Sequence, residues 1–192
     1  MPRIPPTPEP DWSPEMSAFI REFRAAARAG KPGAGRQSGA NLLGTLARYP
    51  ALAQPFLLFN RQLLHGNSLP VAQRELLILR VARLRGSDYE WAQHVLLAAD
   101  AGLGPADFAR VAAGPEAPGW TPTERVLLRA ADELLGDGAI TRPTWDALAA
   151  DFEERQLMDI VFTVGAYALV AMALRSFEVE PEPSLLPHLP VR

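Results

Sequence analysis

VAQRELLILRVARLRGSDYEWAQHVLLAADAGL, residues 71–103, decides the fold. From Val71 to Arg85 the apolar positions Leu76, Leu77, Leu79, Val81 and Leu84 recur at helical spacing, and Gly86 ends the run. Ser87 to Ala101 reads as a second helix, ended by Gly102. No stretch shows the two-residue alternation of a half-buried strand bounded by turns.

The same reading extends in both directions. Ser13, Pro14 and Glu15 open a helix that should run to about Ala29. GKPGAGRQSG, residues 30–39, is a loop. Asn41 to Arg48 gives a short helix ended by Pro50. Ala51 to His65 gives another, with Leu52, Phe56, Phe59 and Leu63 on its apolar positions. Downstream, Pro105 to Ala113 is short, and Thr121-Pro122-Thr123-Glu124 has the layout of a capping box. Thr141 to Ala150 and Glu153 to Phe177 complete the set. The expected fold class is all-α, a compact multi-helix bundle. It divides into a proline-rich arm at 1–12, a single domain at 13–180 and a proline-rich tail at 181–192. The two ends should be extended, either disordered or wrapped on a neighbouring subunit. Within the last helix, VFTVGAYALVAMAL at 161–174 is apolar nearly all round. Such a helix needs burial on every side, so a homo-oligomer built through residues 160–175 is expected.

Composition excludes several classes. The chain has 192 residues, a net charge of −3 and no cysteine. Disulfides, thiolate metal sites and cysteine nucleophiles are therefore impossible. No basic patch suggests nucleic acid, and no histidine pair has metal-ligand spacing. The N-terminus lacks the apolar core of a signal peptide, and the run at 160–174 is short for a membrane span, so a cytoplasmic protein without a membrane partner is expected.

Three residues carry candidate chemistry. Glu90 and His94 are one helical turn apart, and a glutamate there can fix the tautomer of the imidazole for proton transfer. The competing reading makes Ser87 and Glu90 a capping box, with the Glu90 carboxylate on the Ser87 amide. Glu75 shares a helix face with Ile78, Leu79 and Ala82, so its carboxylate would be desolvated unless paired, Arg74 being the neighbour at hand. Tyr89, Trp91, Trp145 and Tyr167 are either core residues or pocket lining, Tyr89 being the candidate substrate contact.

RELLILRVARLRGSDYEWAQHVLLAADAGL, residues 74–103, resembles the core of the carboxymuconolactone decarboxylase family, a superfamily that includes alkylhydroperoxidase-D-like proteins. NLLGTLARYPALAQPFLLFNRQLLHGNSLP upstream and ERQLMDIVFTVGAYALVAMALRSF downstream extend the resemblance over roughly residues 40–180. It implies an all-α fold assembled as a trimer or hexamer. In the peroxidase branch the second helix opens C-x-x-C-x-x-x-H, and an upstream glutamate feeds a proton relay. On this chain the glutamate falls on Glu75 and the histidine on His94, while Ser87 and Glu90 stand at the cysteine positions. Without thiols, peroxidase chemistry is ruled out. The decarboxylase branch carries E-x-x-x-H at that place. It implies a lyase or isomerase acting on a small unsaturated or cyclic acid by general acid–base catalysis, with no cofactor. His94 would shuttle the proton, oriented by Glu90, and Glu75 would complete the relay. A developing enolate would need a hydrogen-bonding or cationic acceptor. The alternative is a non-catalytic oligomeric binding or scaffold member.

Overall fold

Cap chemistry sets where the helices start. In the computed structural model, which describes residues 1–28 and 39–190, Thr121 Oγ1 accepts from the Glu124 amide at 3.2 Å. The Glu124 carboxylate accepts from the Thr121 amide at 2.9 Å. Pro122 fills the first helical position, where no amide is needed. The same logic, with Gln156 reaching the Glu153 amide at 3.0 Å, starts the last helix. Among the described residues there are nine α-helices and no strand. They are α1 (Pro14–Arg28), α2 (Ala40–Leu46), α3 (Pro50–His65), α4 (Val71–Arg85), α5 (Asp88–Asp100), α6 (Pro105–Ala113), α7 (Pro122–Gly136), α8 (Arg142–Asp151) and α9 (Glu154–Ser176). The expected loop at 30–39 lies outside the described residues except for Gly39.

Helix α4 is the axis of the bundle and packs against α9, α5 and α7. Arg74 to Ala82 is buried without interruption. A helix buried all round needs two apolar neighbourhoods, and it has them. Leu77, Ile78 and Val81 pack with Leu127, Leu148, Ile160 and Val164. Leu76, Leu79 and Ala82 pack with Trp91, Val111, Trp120 and Leu128. Each fully buried leucine or isoleucine here contributes roughly 1.5–3 kcal/mol. The buried charged residues of α4, Arg74, Glu75 and Arg80, are paired. Arg80 donates to both Asp132 oxygens at 2.6 and 2.8 Å, and to the Val111 carbonyl at 2.9 Å.

Helix α9 has two faces. One lies in the core. The other leaves Met158, Phe162, Leu169 and Met172 between 51 and 61 % exposed. By length and apolarity alone α9 could cross a bilayer, but the buried face is a wall of the core.

Residues 1–12 and 181–190 of the proline-rich ends lie against the domain rather than extending away from it. The Arg3 amide donates to the Phe177 carbonyl at 2.9 Å and the Thr7 amide to Gly44 at 3.0 Å. Gly44 permits this approach, since a Cβ there would lie 2.7 Å from the Thr7 oxygen. Trp12 anchors the arm, its Nε1 donating to the Thr7 carbonyl at 2.8 Å and its ring packing on Met16, Ile20 and Leu57. At the other end Leu185 is buried with Tyr89, Val170 and Leu174. Proline carries no amide to satisfy, so a few apolar anchors suffice to lay these segments on the chain's own body.

Candidate active site

The turn between α4 and α5 has two residues, and it determines which carboxylate meets His94. Gly86 adopts the left-handed conformation with φ of 61°, which glycine reaches without strain. The next amide, that of Ser87, donates back to the Ala82 carbonyl at 2.9 Å and closes α4. It is therefore not available to Glu90. The expected capping box does not form: Ser87 makes no side-chain cap bond, and its hydroxyl is buried without a partner.

Glu90 does not orient His94 either. Both of its carboxylate oxygens are buried without a hydrogen-bond partner, and the residue is 2 % exposed. Burial alone pushes its carboxyl well above the usual carboxylate range. Glu90 is accordingly a neutral acid in the interior, not a capping or orienting anion.

Glu75, 19 positions from His94, takes that place. Its Oε2 lies 2.7 Å from His94 Nδ1, and its Oε1 accepts from Arg74 Nη2 at 2.7 Å and Nε at 3.1 Å. Arg74 is itself tied to the Leu64 carbonyl through Nη1 at 2.5 Å. Glu75 is fully buried. Burial on its own raises the carboxyl, but His94 and Arg74 outweigh it and hold it below its ordinary value. Glu75 is therefore ionised, and Nδ1 must carry the proton that joins the pair. In the neutral ring Nε2 is then the bare nitrogen, and it has no partner among the described residues. The His94 side chain is 8 % exposed and that of Arg74 7 %, so the rim of the site reaches solvent at these two residues.

Tyr167 of α9 closes the group. Its ring stands edge-on to His94, centroids 4.9 Å apart at 90°. Its hydroxyl is buried and has no partner of hydrogen-bonding geometry. Burial first, then the nearby carboxyls of Glu75 and Glu90, push the phenol well up, while the Arg74 charge and a loose hydrogen bond with the Asn60 side chain act in the opposite direction. Tyr89, by contrast, is held elsewhere. Its hydroxyl donates to Glu182 at 3.0 Å and its ring lies in the apolar cluster under the C-terminal tail. Trp91 is core, and Trp145 is 39 % exposed. Among the described residues no group of three histidine, aspartate or glutamate side chains could hold a metal ion. A small cavity of about 20 Å³ lies beside Ser87, Trp91 and Pro190, and it does not include Glu75, Glu90 or His94.

Comparison with known proteins agrees with this architecture. Residues 50–133 match the model of the carboxymuconolactone decarboxylase family. An uncharacterised peroxidase-related protein from Ralstonia eutropha JMP134, described as an alkylhydroperoxidase AhpD core, superposes with a TM-score of 0.73. It is 18 % identical, over 95 % of this chain and 94 % of that one. A protein of unknown function from Agrobacterium tumefaciens, described as a putative antioxidant defence protein AhpD, gives 0.65 at 19 % identity. That match covers 71 % of this chain and 94 % of its own. The apo debrominase Bmp8 gives 0.75 at 14 % identity, over 96 % and 95 %. No curated protein gave a significant match. At these identities the likeness is one of fold.

Proposed function

We propose that this chain, which carries the carboxymuconolactone decarboxylase family pattern over residues 50–133 on an alkylhydroperoxidase-D-like fold, is a lyase or isomerase that needs no cofactor. Its substrate is a small unsaturated or cyclic acid, and its chemistry is general acid–base proton transfer. One observation carries the reading: a buried, arginine-braced carboxylate 2.7 Å from His94 Nδ1 leaves Nε2 as a positioned base. Nε2 takes a proton from a carbon next to a carbonyl, and the freed pair moves into the conjugated system. The imidazolium then returns the proton to another carbon, shifting the double bond. In the lyase variant His94 Nε2 first takes up a proton from solvent; the carbon–carboxylate pair then enters the same system as CO2 leaves, and the imidazolium gives that proton to carbon. Neither route changes oxidation state, and neither requires the thiol that this chain lacks.

The test uses carboxymuconolactone and simple β,γ-unsaturated γ-lactones in deuterium oxide, with carbon-bound deuterium followed by proton NMR. The wild type should exchange or convert one of them, and His94→Gln should not, with its melting temperature preserved. Equal exchange in His94→Gln overturns the assignment. No conversion across the panel by a folded wild type favours the non-catalytic binding or scaffold member.

Self-association is part of the same reading. Met158, Phe162, Gly165, Leu169 and Met172 follow one another at alternating spacings of four and three along the outer face of α9. That is the seam spacing of packed helices. Phe59 of α3 adds its ring to Phe162 at 6.3 Å. The natural occupant is a second copy, in a trimer or hexamer, within the cytoplasm and without nucleic acid or membrane. Leu169→Glu should lower the mass seen by analytical ultracentrifugation to that of the monomer. An unchanged assembly places the interface elsewhere.

A further inference from the structure

Two polar groups beside the dyad are left over by the proton transfer just described. The Tyr167 hydroxyl and both Glu90 oxygens are buried, and none makes a hydrogen bond of full geometry, although the Asn60 side chain is near enough to the Tyr167 hydroxyl to draw its phenol down. Both residues are 2 % exposed. Folded proteins rarely leave buried polar groups unpaired, because each has given up its bonds to water without replacement. Here two occur together. Tyr167 touches His94 edge-on at 4.9 Å, and its hydroxyl is close enough to Glu90 and Glu75 to feel their charge without bonding to either. Other buried polar atoms also lack a partner, Ser87 Oγ and Glu182 Oε2 among them; these two are set apart because Tyr167 meets the His94 ring and Glu90 stands one helical turn before it.

Building on the proton-transfer reading above, we propose that the Tyr167 hydroxyl and the Glu90 carboxyl are paired neutral donors that receive the oxygen of an enolate. The substrate class is then narrower than a small acid. It is a carbonyl compound, a lactone or ketone, whose neighbouring carbon bears the proton taken by His94 Nε2. As that C–H bond breaks, its electron pair forms the new carbon–carbon π bond. The carbonyl π pair moves onto oxygen, which accepts from Tyr167 Oη–H and the Glu90 O–H. Return of the proton to carbon reverses the charge movement, so atoms and electrons balance with no co-reactant. Neutral donors suit the task. They need no counter-ion in the dry interior, and they bind the oxyanion more strongly than the ground-state carbonyl. Glu90, with no partner on either oxygen, is already free of competing bonds.

Two measurements test this. The first is binding of 4-nitrophenol, a planar oxyanion that mimics an enolate, followed by its absorbance. The wild type should bind the phenolate, and Tyr167→Phe should bind it at least about 10-fold more weakly. Glu90→Leu should lose a similar factor, whereas Glu90→Gln keeps an N–H donor and should stay within about 3-fold. The second is deuterium exchange on the lactone converted by the wild type. Tyr167→Phe should lower kcat by about 100-fold or more, with KM changed far less. If Tyr167→Phe is folded and keeps wild-type kcat, the donor role is wrong while His94 stands. If His94→Gln keeps exchange, the underlying proton-transfer reading fails first. A wild type that does not bind the phenolate also overturns the donor pair, and this readout needs no variant to fold.

Discussion

Replacing Glu90 by glutamine should stabilise the protein by an amount that grows with pH. The carboxyl is 2 % exposed, has no partner on either oxygen, and is pushed well above its ordinary value of 4.5 by burial. Above about pH 4.5 the unfolded chain releases this proton and the folded chain keeps it. The folded state then binds more protons, so wild-type stability falls as pH rises until the folded value is passed. The slope for one such group is about 1.4 kcal/mol per pH unit. In a chain of this size that is about 3–5 °C in melting temperature per unit. Glutamine has nearly the same shape and is also buried without partners, but it does not titrate. Near pH 5 the two proteins should melt within a degree or two of one another, and the variant should gain as pH rises until the folded Glu90 itself ionises. The assay is a pair of thermal scans at half-unit pH steps and one protein concentration, read as the difference between the two curves. Groups common to both proteins, including the ionised Glu75, cancel in that difference. A carboxylate engaged on the Ser87 amide would instead be held below 4.5, and its replacement would destabilise near neutral pH. A difference curve that is flat, or that falls with pH, refutes the reasoning.

The Glu75→Gln variant leaves the Arg74 guanidinium buried without its counter-charge. It should cost about 3–5 kcal/mol by urea denaturation near neutral pH, and a loss under about 1 kcal/mol would show the ion pair to be dispensable. The wild type should lose this contribution on acidification below 4.5, because the folded Glu75 is held below that value and must be protonated there, whereas the glutamine variant should not. Gly86→Ala meets only Arg175 Cζ at 3.9 Å, so its cost is conformational, about 1–2 kcal/mol at φ of 61°, and a melting temperature equal to wild type would contradict the left-handed cap. Asp132→Ala removes the clamp on Arg80. It should destabilise toward the low end of about 3–5 kcal/mol, because the Asp132 side chain is 30 % exposed, and leave exchange per folded molecule unchanged.

Helix positions were legible in the sequence because their punctuation is local. Gly86 and Gly102, the prolines at 14, 105 and 122, and the Thr121–Glu124 box act within a turn of where they stand. The observed boundaries follow them closely. What a helix face meets is not local. Leu52 and Phe59 hold apolar positions on α3 at helical spacing, yet they are 54 and 40 % exposed, and Leu84 of α4 is 42 % exposed. Apolarity all round α9 suggested burial on every side, while the chain alone covers one face and leaves Met158, Phe162, Leu169 and Met172 open. The proline-rich ends lack periodicity, so nothing in their pattern reveals that Trp12 and Leu185 anchor them. Those contacts join residues far apart in the chain.

The site shows why spacing gave His94 a carboxylate partner other than the one it meets in the fold. Glu90 lies one turn before His94, and Ser87 stands where a capping partner would, so both local readings gave that carboxylate an immediate neighbour. Both assumed that the Ser87 amide or the His94 ring was otherwise uncommitted. In a two-residue turn the amide is already claimed, because closing α4 through Gly86 requires it at the Ala82 carbonyl. The ring is claimed as well, since Arg74 holds Glu75 in place against Nδ1. Glu90 is thus left on the inner side of α5 with both competitors served and no water to ionise into. Tyr167 arrives from a helix 73 positions beyond His94, with its hydroxyl making no hydrogen bond of full geometry. A pairing rule over four residues cannot register that a partner is taken. Hydrogen-bond accounting over the whole interior can, and it leaves Glu90 and Tyr167 beside His94 as the groups proposed above to meet a developing negative charge.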